Sequence, residues 1–345
     1  MLEALADMGI FAFKAAIVVI AVALIVGVIA AARKSRHDVP PGKTVLTNLG
    51  KRLREQQQRL LGEVNHKERI KEEKKRRKQA DKARKKEKNA APATYVIDFH
   101  GDIRATQTRL LTHKITALLQ LVDPGRDEVV IRLESAGGLV HAYGLAASQL
   151  MRLKQGGIKT TVCIDKLAAS GGYMMACTAT RILAAPFALV GSIGVIAQLP
   201  NFHRLLQRWE VDIEQHTAGK YKRTLTTLGK NTPEGRRKFK QDVERTHKLF
   251  QKLIKDQRPQ LAVSRIATGE VWYGQEALAL KLIDEVNTSE AYLLARCGDS
   301  EVFLLDYKVK KPLGKRLQDA TAGMLETLLM RLAQSDHEQR VLNQR

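Results

Sequence analysis

The chain has 345 residues and a formal net charge of +22. That length exceeds one minimal domain, so we expect a large folded domain with appended segments. The charge would normally suggest nucleic acid or anionic lipid as a partner, but Lys and Arg are concentrated early in the chain. The three cysteines, Cys163, Cys177 and Cys297, lie in apolar or helical contexts without a C-x-x-C pair. They are typical of core residues and argue against a disulfide framework or a zinc site, and no cofactor is expected.

An apolar segment, residues 9–32, follows a short N-terminal tail, residues 1–8. Lys14 is the one charge of this segment, and the uncharged run from Ala15 to Ala32 is long enough to cross a bilayer. A cleaved signal peptide is the alternative, but the preceding stretch is acidic and the apolar core is too long. We therefore predict a retained transmembrane helix. The basic residues that follow it favour a cytoplasmic C-terminal part by the positive-inside rule, and a periplasmic one is the alternative.

A basic helical spacer and linker is predicted for residues 33–93. From Lys51 to Lys88 the chain is rich in Lys, Arg, Glu and Gln, which is typical of a solvated helix that cannot form a core. Its densest part, Lys67 to Lys88, fits contact with anionic lipid, contact with RNA, or a soluble spacer. Because no aromatic residue is interleaved there, nucleic acid is the less favoured partner.

Residues 94–300 alternate short apolar runs with helical patterns, which predicts an α/β domain with a largely parallel sheet. An apolar stretch from Arg181 to Pro200 is interrupted by glycines, so we do not predict a second span there. Residues 301–345 are expected to form a strand and a helix that either cover the core or contact a partner chain. The predicted strands are Tyr95–Phe99, Glu128–Leu133 and Lys159–Ile164, and the predicted helices are Gln107–Leu121, Leu139–Leu153, one near Ser170, and Pro233–Asp256.

Three glycine-marked loops follow predicted strands: ESAGGLV from Glu134, AASGGYMMA from Ala168 and GSIGV from Gly191. Ligand sites of α/β sheets gather at the carboxyl ends of strands. Acyl transfer needs a nucleophilic hydroxyl, a base and backbone N–H donors for the oxyanion. Ser170 fits the nucleophile, and the glycines at 137 and 138 fit the donors. Each loop by itself also fits an ordinary tight turn.

The base is less clear from the residues. Of nine histidines, none has a persuasive context, and His203 and His216 lie in polar surroundings. A lysine base needs a lowered pKa, which burial would supply. Lys220 and Lys222 of the AGKYKR loop fit this role equally on composition. A hydroxyl such as that of Ser192 would orient the amine without adding charge.

The strings SAGG, AASGGYMMA, GSIGV and AGKYK, in this order, resemble the signal peptide peptidase A family of serine peptidases, and the N-terminal span with its basic spacer resembles the SohB branch. The similarity covers about residues 95–300. It implies a ClpP/crotonase-like fold of repeated ββα units. One departure is Ala136, where the family commonly has Pro before the glycine pair. Carried over by motif, the resemblance implies Ser170 as nucleophile, Lys222 as general base, Ser192 as the lysine-orienting hydroxyl, and Gly137, Gly138 and Gly171 in the oxyanion hole.

The resemblance also implies a homo-oligomer in which each Ser–Lys pair forms between neighbouring protomers. It implies hydrophobic peptide substrates, such as signal-peptide remnants or membrane-protein fragments, and a single-pass protein of the bacterial inner membrane. Two alternatives remain: a crotonase-like enzyme acting on acyl thioesters, and a catalytically degenerate membrane scaffold whose basic segment binds lipid or RNA.

Overall fold

The computed structural model describes residues 42–64, 68, 71, 72, 75, 76, 78, 79 and 92–309. The predicted transmembrane helix at 9–32, most of the densest basic segment, and the helical pattern beyond 309 lie outside the described residues. Within the described residues, we find no helix that is both long and apolar enough to cross a bilayer. Thr44–Asp306 form one compact unit.

Strands are interspersed with helices along the chain, as the sequence predicts. The predicted strand Lys159–Ile164 is observed with the same bounds, and the other predicted elements shift by one to a few residues. The stretch from Arg181 to Pro200 contains two short strands and no helix. The elements are β1 (Gly42–Asn48), α1 (Leu49–Glu63), β2 (Ala93–Gly101), α2 (Thr108–Leu121), β3 (Glu128–Ser135), α3 (Val140–Gln155), β4 (Lys159–Ile164), β5 (Leu167–Ala169), α4 (Gly171–Ala176), β6 (Arg181–Ala184), β7 (Leu189–Gly191), α5 (His203–Arg208), α6 (Pro233–Gln257), α7 (Val263–Ile266), β8 (Val271–Tyr273), α8 (Gly274–Ala279), β9 (Glu285–Val286), α9 (Ser289–Asp299) and β10 (Glu301–Val309).

The described strands form one branched sheet. Its main row has the order β1-β10-β2-β3-β4-β6-β9, and every pairing from β10 to β9 is parallel. A side row begins where Ser135, at the end of β3, pairs with Ala168 of β5, and it continues through β7 to β8. The strand pairs β4–β5 and β6–β7 repeat one arrangement, because the first strand joins the main row and the second joins the side row. The predicted α/β class with a largely parallel sheet is confirmed.

The two faces of the sheet bury cores of different size. The larger core lies against α2, α3, α4 and α6 and includes Ile97, Ile131 and Tyr143, all essentially without solvent exposure. The smaller core, on the other face, includes Val130 and Tyr292 and packs under α9. Because successive residues of a strand face opposite sides, neighbouring apolar residues of β2 and β3 supply both cores. This double burial explains the nearly continuous apolar runs of these strands.

The polar helix α6 packs one apolar residue differently from the face that its sequence predicts. The apolar residues Phe239, Val243, Leu249 and Ile254 predict the packed face. In the structure Ile254 is fully buried, but Phe250 is buried in place of Leu249, which is 60% exposed. Adjacent residues lie about 100° apart on a helix, so the choice between them depends on how the helix rotates against its neighbours.

Two strands at one end of the described sheet, β1 and β10, lie outside the range 94–300. Residues 42–64, in the predicted spacer, form β1 and the predominantly exposed helix α1. The Asn48 side chain caps α1 by accepting a hydrogen bond from Lys51 N at 2.7 Å. Strand β10 pairs in parallel with β2 and extends the sheet beyond residue 300.

Candidate active site

Ser170 occupies a tight turn between β5 and α4. Its φ of 51° and ψ of −116° lie in a region that non-glycine residues rarely adopt. The turn is held because Ser170 N donates to Gly191 O at 2.7 Å, and Met174 N donates to Ser170 O at 2.9 Å. A strained strand-to-helix turn that carries a half-buried serine is the geometry with which many hydrolases present a nucleophile.

The SAGG loop packs directly on this turn. Gly137 has φ 86°, and a Cβ at this position would lie 2.6 Å from Gly171 N and 2.8 Å from Ser170 Cβ. Only glycine therefore fits, for backbone conformation and for space. The pairing of Ser135 with Ala168 brings the two loops to the same edge of the sheet.

The backbone amides of the two loops differ in whether they donate a hydrogen bond within the protein. Gly137 N donates to Ser135 Oγ at 3.0 Å, so this predicted oxyanion donor is engaged within the chain. In the described part of the chain, neither Gly138 N nor Gly171 N donates a hydrogen bond to a protein acceptor. Gly171 is buried and is the first residue of α4, where backbone N–H groups have no acceptor within the helix and are available to a ligand. Gly138 and Gly171 are therefore the amides best suited to bind an oxyanion.

The third glycine-marked loop also reaches the turn of the nucleophile. Ser192 has φ 51°, and its N–H donates to Glu270 O at 2.6 Å. The preceding residue, Gly191, accepts the hydrogen bond from Ser170 N. Three segments that are distant in the sequence thus meet: the SAGG loop, the turn at Ser170 and the GSIGV loop.

The two candidate lysines have different environments. Lys220 Nζ lies 3.0 Å from Glu234 Oε1, and hydrogen bonding to this carboxylate raises the pKa of Lys220. That pairing opposes a role as a base, which must be neutral. Lys222 is exposed, and among the described residues no hydrogen bond or ion pair involves its amine. Within the described protomer, no hydrogen bond joins Lys222 to Ser170.

A polar cleft of about 230 Å³ lies on the opposite face of the sheet. In this cleft Arg132 binds Asp98 through two hydrogen bonds of 2.6 and 2.8 Å, and Lys166 binds Glu134 at 3.1 Å. These charges satisfy one another, and Glu134 points away from the side of β3 that carries Ser135. Within the described residues, no group of three or more His, Cys, Asp or Glu side chains is arranged to hold a metal ion.

Comparison with known proteins assigns the family. The N-terminal model of peptidase family S49 matches residues 3–150, and the model of peptidase family S49 matches residues 152–297. The probable protease SohB of Haemophilus influenzae is 45% identical over 91% of this chain and 92% of its own length. The chain belongs to peptidase family S49.

Two other curated relatives of this S49 peptidase agree with the assignment. The probable protease SohB of Buchnera aphidicola from Acyrthosiphon pisum is 47% identical over 70% of the chain and 72% of its own length. Protease 4 of Salmonella typhi is 27% identical over 60% of the chain and 34% of its own length. A solved structure, the 1510-N membrane-bound stomatin-specific protease, aligns with 63% of the chain and 99% of its own, at 17% identity and a TM-score of 0.43. The predicted resemblance to the signal peptide peptidase A family and its SohB branch is confirmed, and the protein is a protease.

Sequence reasoning missed three residues that support the site of this S49 peptidase. Ser135 and Tyr143 are buried beneath the SAGG loop, and the Tyr143 hydroxyl donates to Asp102 O at 2.8 Å. Hydrogen bonds from Thr106, and then from Arg104, hold the pKa of Asp102 below its ordinary value. The one signal in the sequence is the tyrosine itself, a hydroxyl placed on the apolar face of α3 that needs a partner when buried.

Proposed function

We propose that this peptidase is a membrane-anchored serine endopeptidase with a ClpP/crotonase-like fold, in which Ser170 is the nucleophile and Lys222 the general base. The observation that carries the proposal is the strained turn of Ser170 beside the amides of Gly138 and Gly171, neither of which donates to an acceptor among the described residues. The proposed substrates are hydrophobic peptides such as signal-peptide remnants or fragments of membrane proteins.

The proposed reaction follows from these groups. Ser170 Oγ attacks the scissile carbonyl carbon while its proton passes to the neutral amine of Lys222. The carbonyl oxygen becomes an oxyanion that accepts hydrogen bonds from Gly138 N and Gly171 N. When the tetrahedral intermediate collapses, the lysine returns its proton to the leaving amine. Water then hydrolyses the acyl-enzyme by the same steps, and Ser192 orients the lysine.

We propose that a second copy of the chain completes the dyad. Lys222 lies in a segment, residues 195–232, in which no residue is buried and large apolar side chains are exposed, among them Ile196 at 89% and Trp209 at 66%. Apolar exposure on this scale is typical of a surface that another protein covers. A neighbouring copy on this segment would cover Lys222 and remove water from it, and desolvation of an amine favours the neutral form that a general base needs.

Three substitutions test the dyad. Ser170→Ala and Lys222→Ala each abolish peptide hydrolysis while leaving assembly intact, and Lys220→Ala, the matched control, retains it. When the two inactive variants are assembled together in equal amounts, about a quarter of the sites regain both groups if the dyad forms between copies, since each group is intact with a chance of one half. Full activity of Ser170→Ala would contradict the assignment, and no recovery in the mixture would place both groups in one protomer.

The location of the protein is part of the proposal. We propose that residues 9–32 anchor the chain in the bacterial inner membrane and that the peptidase domain lies in the cytoplasm, because the basic residues follow the span. Externally added protease tests this orientation: in spheroplasts the domain is protected if it is cytoplasmic and digested if it is periplasmic.

The basic segment is proposed to contact anionic lipid. Deletion of Lys67 to Lys88 is expected to weaken binding to vesicles that contain anionic lipid, while hydrolysis of soluble peptides stays unchanged. Loss of hydrolysis in this deletion would assign the segment to the active site or to assembly.

A further inference from the structure

Two hydroxyl groups are buried together beneath the SAGG loop. Ser135, the last residue of β3, is 2% exposed, and Tyr143, in the first turn of α3, has no exposure. Ser135 Oγ and Tyr143 Oη are 2.5 Å apart. The loop that carries Gly137 and Gly138 connects these two residues, so the hydroxyl pair closes the loop at its base.

The hydrogen atoms in this cluster have one consistent arrangement. The carbonyl oxygen of Asp102 can only accept, so the single hydroxyl hydrogen of Tyr143 points to it, across 2.8 Å. The Ser135 hydroxyl must then donate to Tyr143 Oη. Ser135 Oγ retains lone pairs, which accept the N–H of Gly137 at 3.0 Å. Each donor is used once, and the chain of bonds runs from Gly137 to Asp102.

Tyr143 also contacts the other half of the site. A Cβ on Gly171 would overlap Cγ and Cδ2 of Tyr143, so the backbone that supplies the Gly171 N–H packs against this side chain. The hydroxyl acts through Ser135 on the loop that supplies the Gly138 N–H. One buried side chain therefore contacts both segments that carry the unpaired amides. Burial raises the pKa of Tyr143, which keeps its hydroxyl protonated.

We propose that Tyr143 and Ser135 are positioning residues for peptide hydrolysis, because their hydroxyl groups hold the SAGG loop at the distance from Gly171 that an oxyanion requires. This inference rests on the proposed function, since it takes Gly138 and Gly171 as the oxyanion donors. Neither side chain contacts substrate in this role. Their effect falls on the transition state, where the oxyanion develops, and little on substrate binding.

The test compares Tyr143→Phe, Ser135→Ala and the double variant in the full-length, assembled protein. Each is expected to lower kcat about 10- to 100-fold, less than the roughly 100- to 1000-fold lost when an oxyanion donor is removed, with KM within about twofold of wild type. Because the hydroxyls act in one chain, the double variant is expected to lose no more than the worse single one. Ser135→Ala removes one oxygen atom and carries the test by itself if Tyr143→Phe does not assemble.

Tyr292→Phe is the matched control. This tyrosine is also buried, and its hydroxyl donates to Glu128 at 2.7 Å on the opposite face of the sheet. The Tyr292→Phe variant is expected to have a lower free energy of unfolding than wild type and an unchanged kcat. Hydrogen exchange provides a readout without substrate: the Gly137 amide should exchange about 10-fold faster or more in Ser135→Ala than in wild type, and unchanged in Tyr292→Phe.

The outcomes separate the inference from the proposed function. Wild-type kcat and unchanged Gly137 exchange in Ser135→Ala and Tyr143→Phe, with Ser170→Ala inactive, would overturn the inference alone. An equal loss of kcat in Tyr292→Phe would also overturn it, because the effect would then be one of general stability. Activity in Ser170→Ala would overturn the proposed function and the inference with it.

Discussion

Replacing Gly137 by alanine should damage both stability and catalysis. Alanine at a φ of 86° costs about 1–2 kcal/mol of unfolding free energy, because Cβ approaches the carbonyl oxygen. The new methyl group would lie 2.6 Å from Gly171 N and 2.8 Å from Ala169 O, and relief of this overlap costs about 1–3 kcal/mol more. We expect a total loss of about 2–5 kcal/mol. A loop shift near 1 Å would also lower kcat about 100-fold.

Gly157→Ala separates the two causes. Gly157 has φ 70°, but the nearest atom to an added Cβ is Pro124 Cβ at 3.7 Å, which is ordinary contact. We expect this control to lose about 1–2 kcal/mol and to retain wild-type kcat. Urea unfolding and peptide hydrolysis, measured on the same preparations, make the comparison. The reasoning is refuted if Gly137→Ala hydrolyses peptides at the wild-type rate, or if both variants lose activity equally.

Three further predictions concern other parts of the chain. Ile254→Ala should lower the free energy of unfolding by about 2–5 kcal/mol and Leu249→Ala by less than about 0.5 kcal/mol; equal losses in urea unfolding would show that α6 packs differently. Burial raises the pKa of Cys177 to about 12, so iodoacetamide at about pH 8 should label the partly exposed Cys297 first, and early labelling of Cys177 by mass spectrometry would contradict its burial. The pKa of the Asp102 carboxyl is lower in the folded than in the unfolded chain, so its contribution to the free energy of unfolding is present above the unfolded-state pKa and is lost as pH falls through the folded-state pKa. Asp102→Asn should therefore reduce the fall of the unfolding free energy with pH on the acid side. An unchanged plot of unfolding free energy against pH would refute this.

Much of the candidate site could be predicted from local patterns. A short apolar run bounded by turn residues predicts a strand, and the predicted bounds Lys159–Ile164 are the observed ones. A serine followed by two glycines after such a strand predicts a tight strand-to-helix turn, and such a turn is found at Ser170. These features depend on neighbouring residues, so they are visible in one stretch of sequence.

The residues alone do not indicate which of the two candidate lysines is better suited to act as the general base. Lys220 and Lys222 are two positions apart and have the same chemistry, so composition cannot separate them. The structure pairs Lys220 with Glu234, on another element, and leaves Lys222 exposed on a segment without buried residues. Likewise, whether Leu249 or Phe250 is buried depends on the rotation of α6 against the sheet.

The α/β class, the bounds of several strands and helices, and the three glycine-marked loops at the site follow from the amino-acid sequence. The hydrogen bond from the Gly137 amide to Ser135 and the contact of Tyr143 with Asp102, 41 positions earlier in the chain, became visible only in the folded protein. The difference lies in the range of the interactions. Backbone conformation and burial patterns follow from adjacent residues, whereas hydrogen bonds and ring contacts between distant segments exist only after the sheet has aligned them.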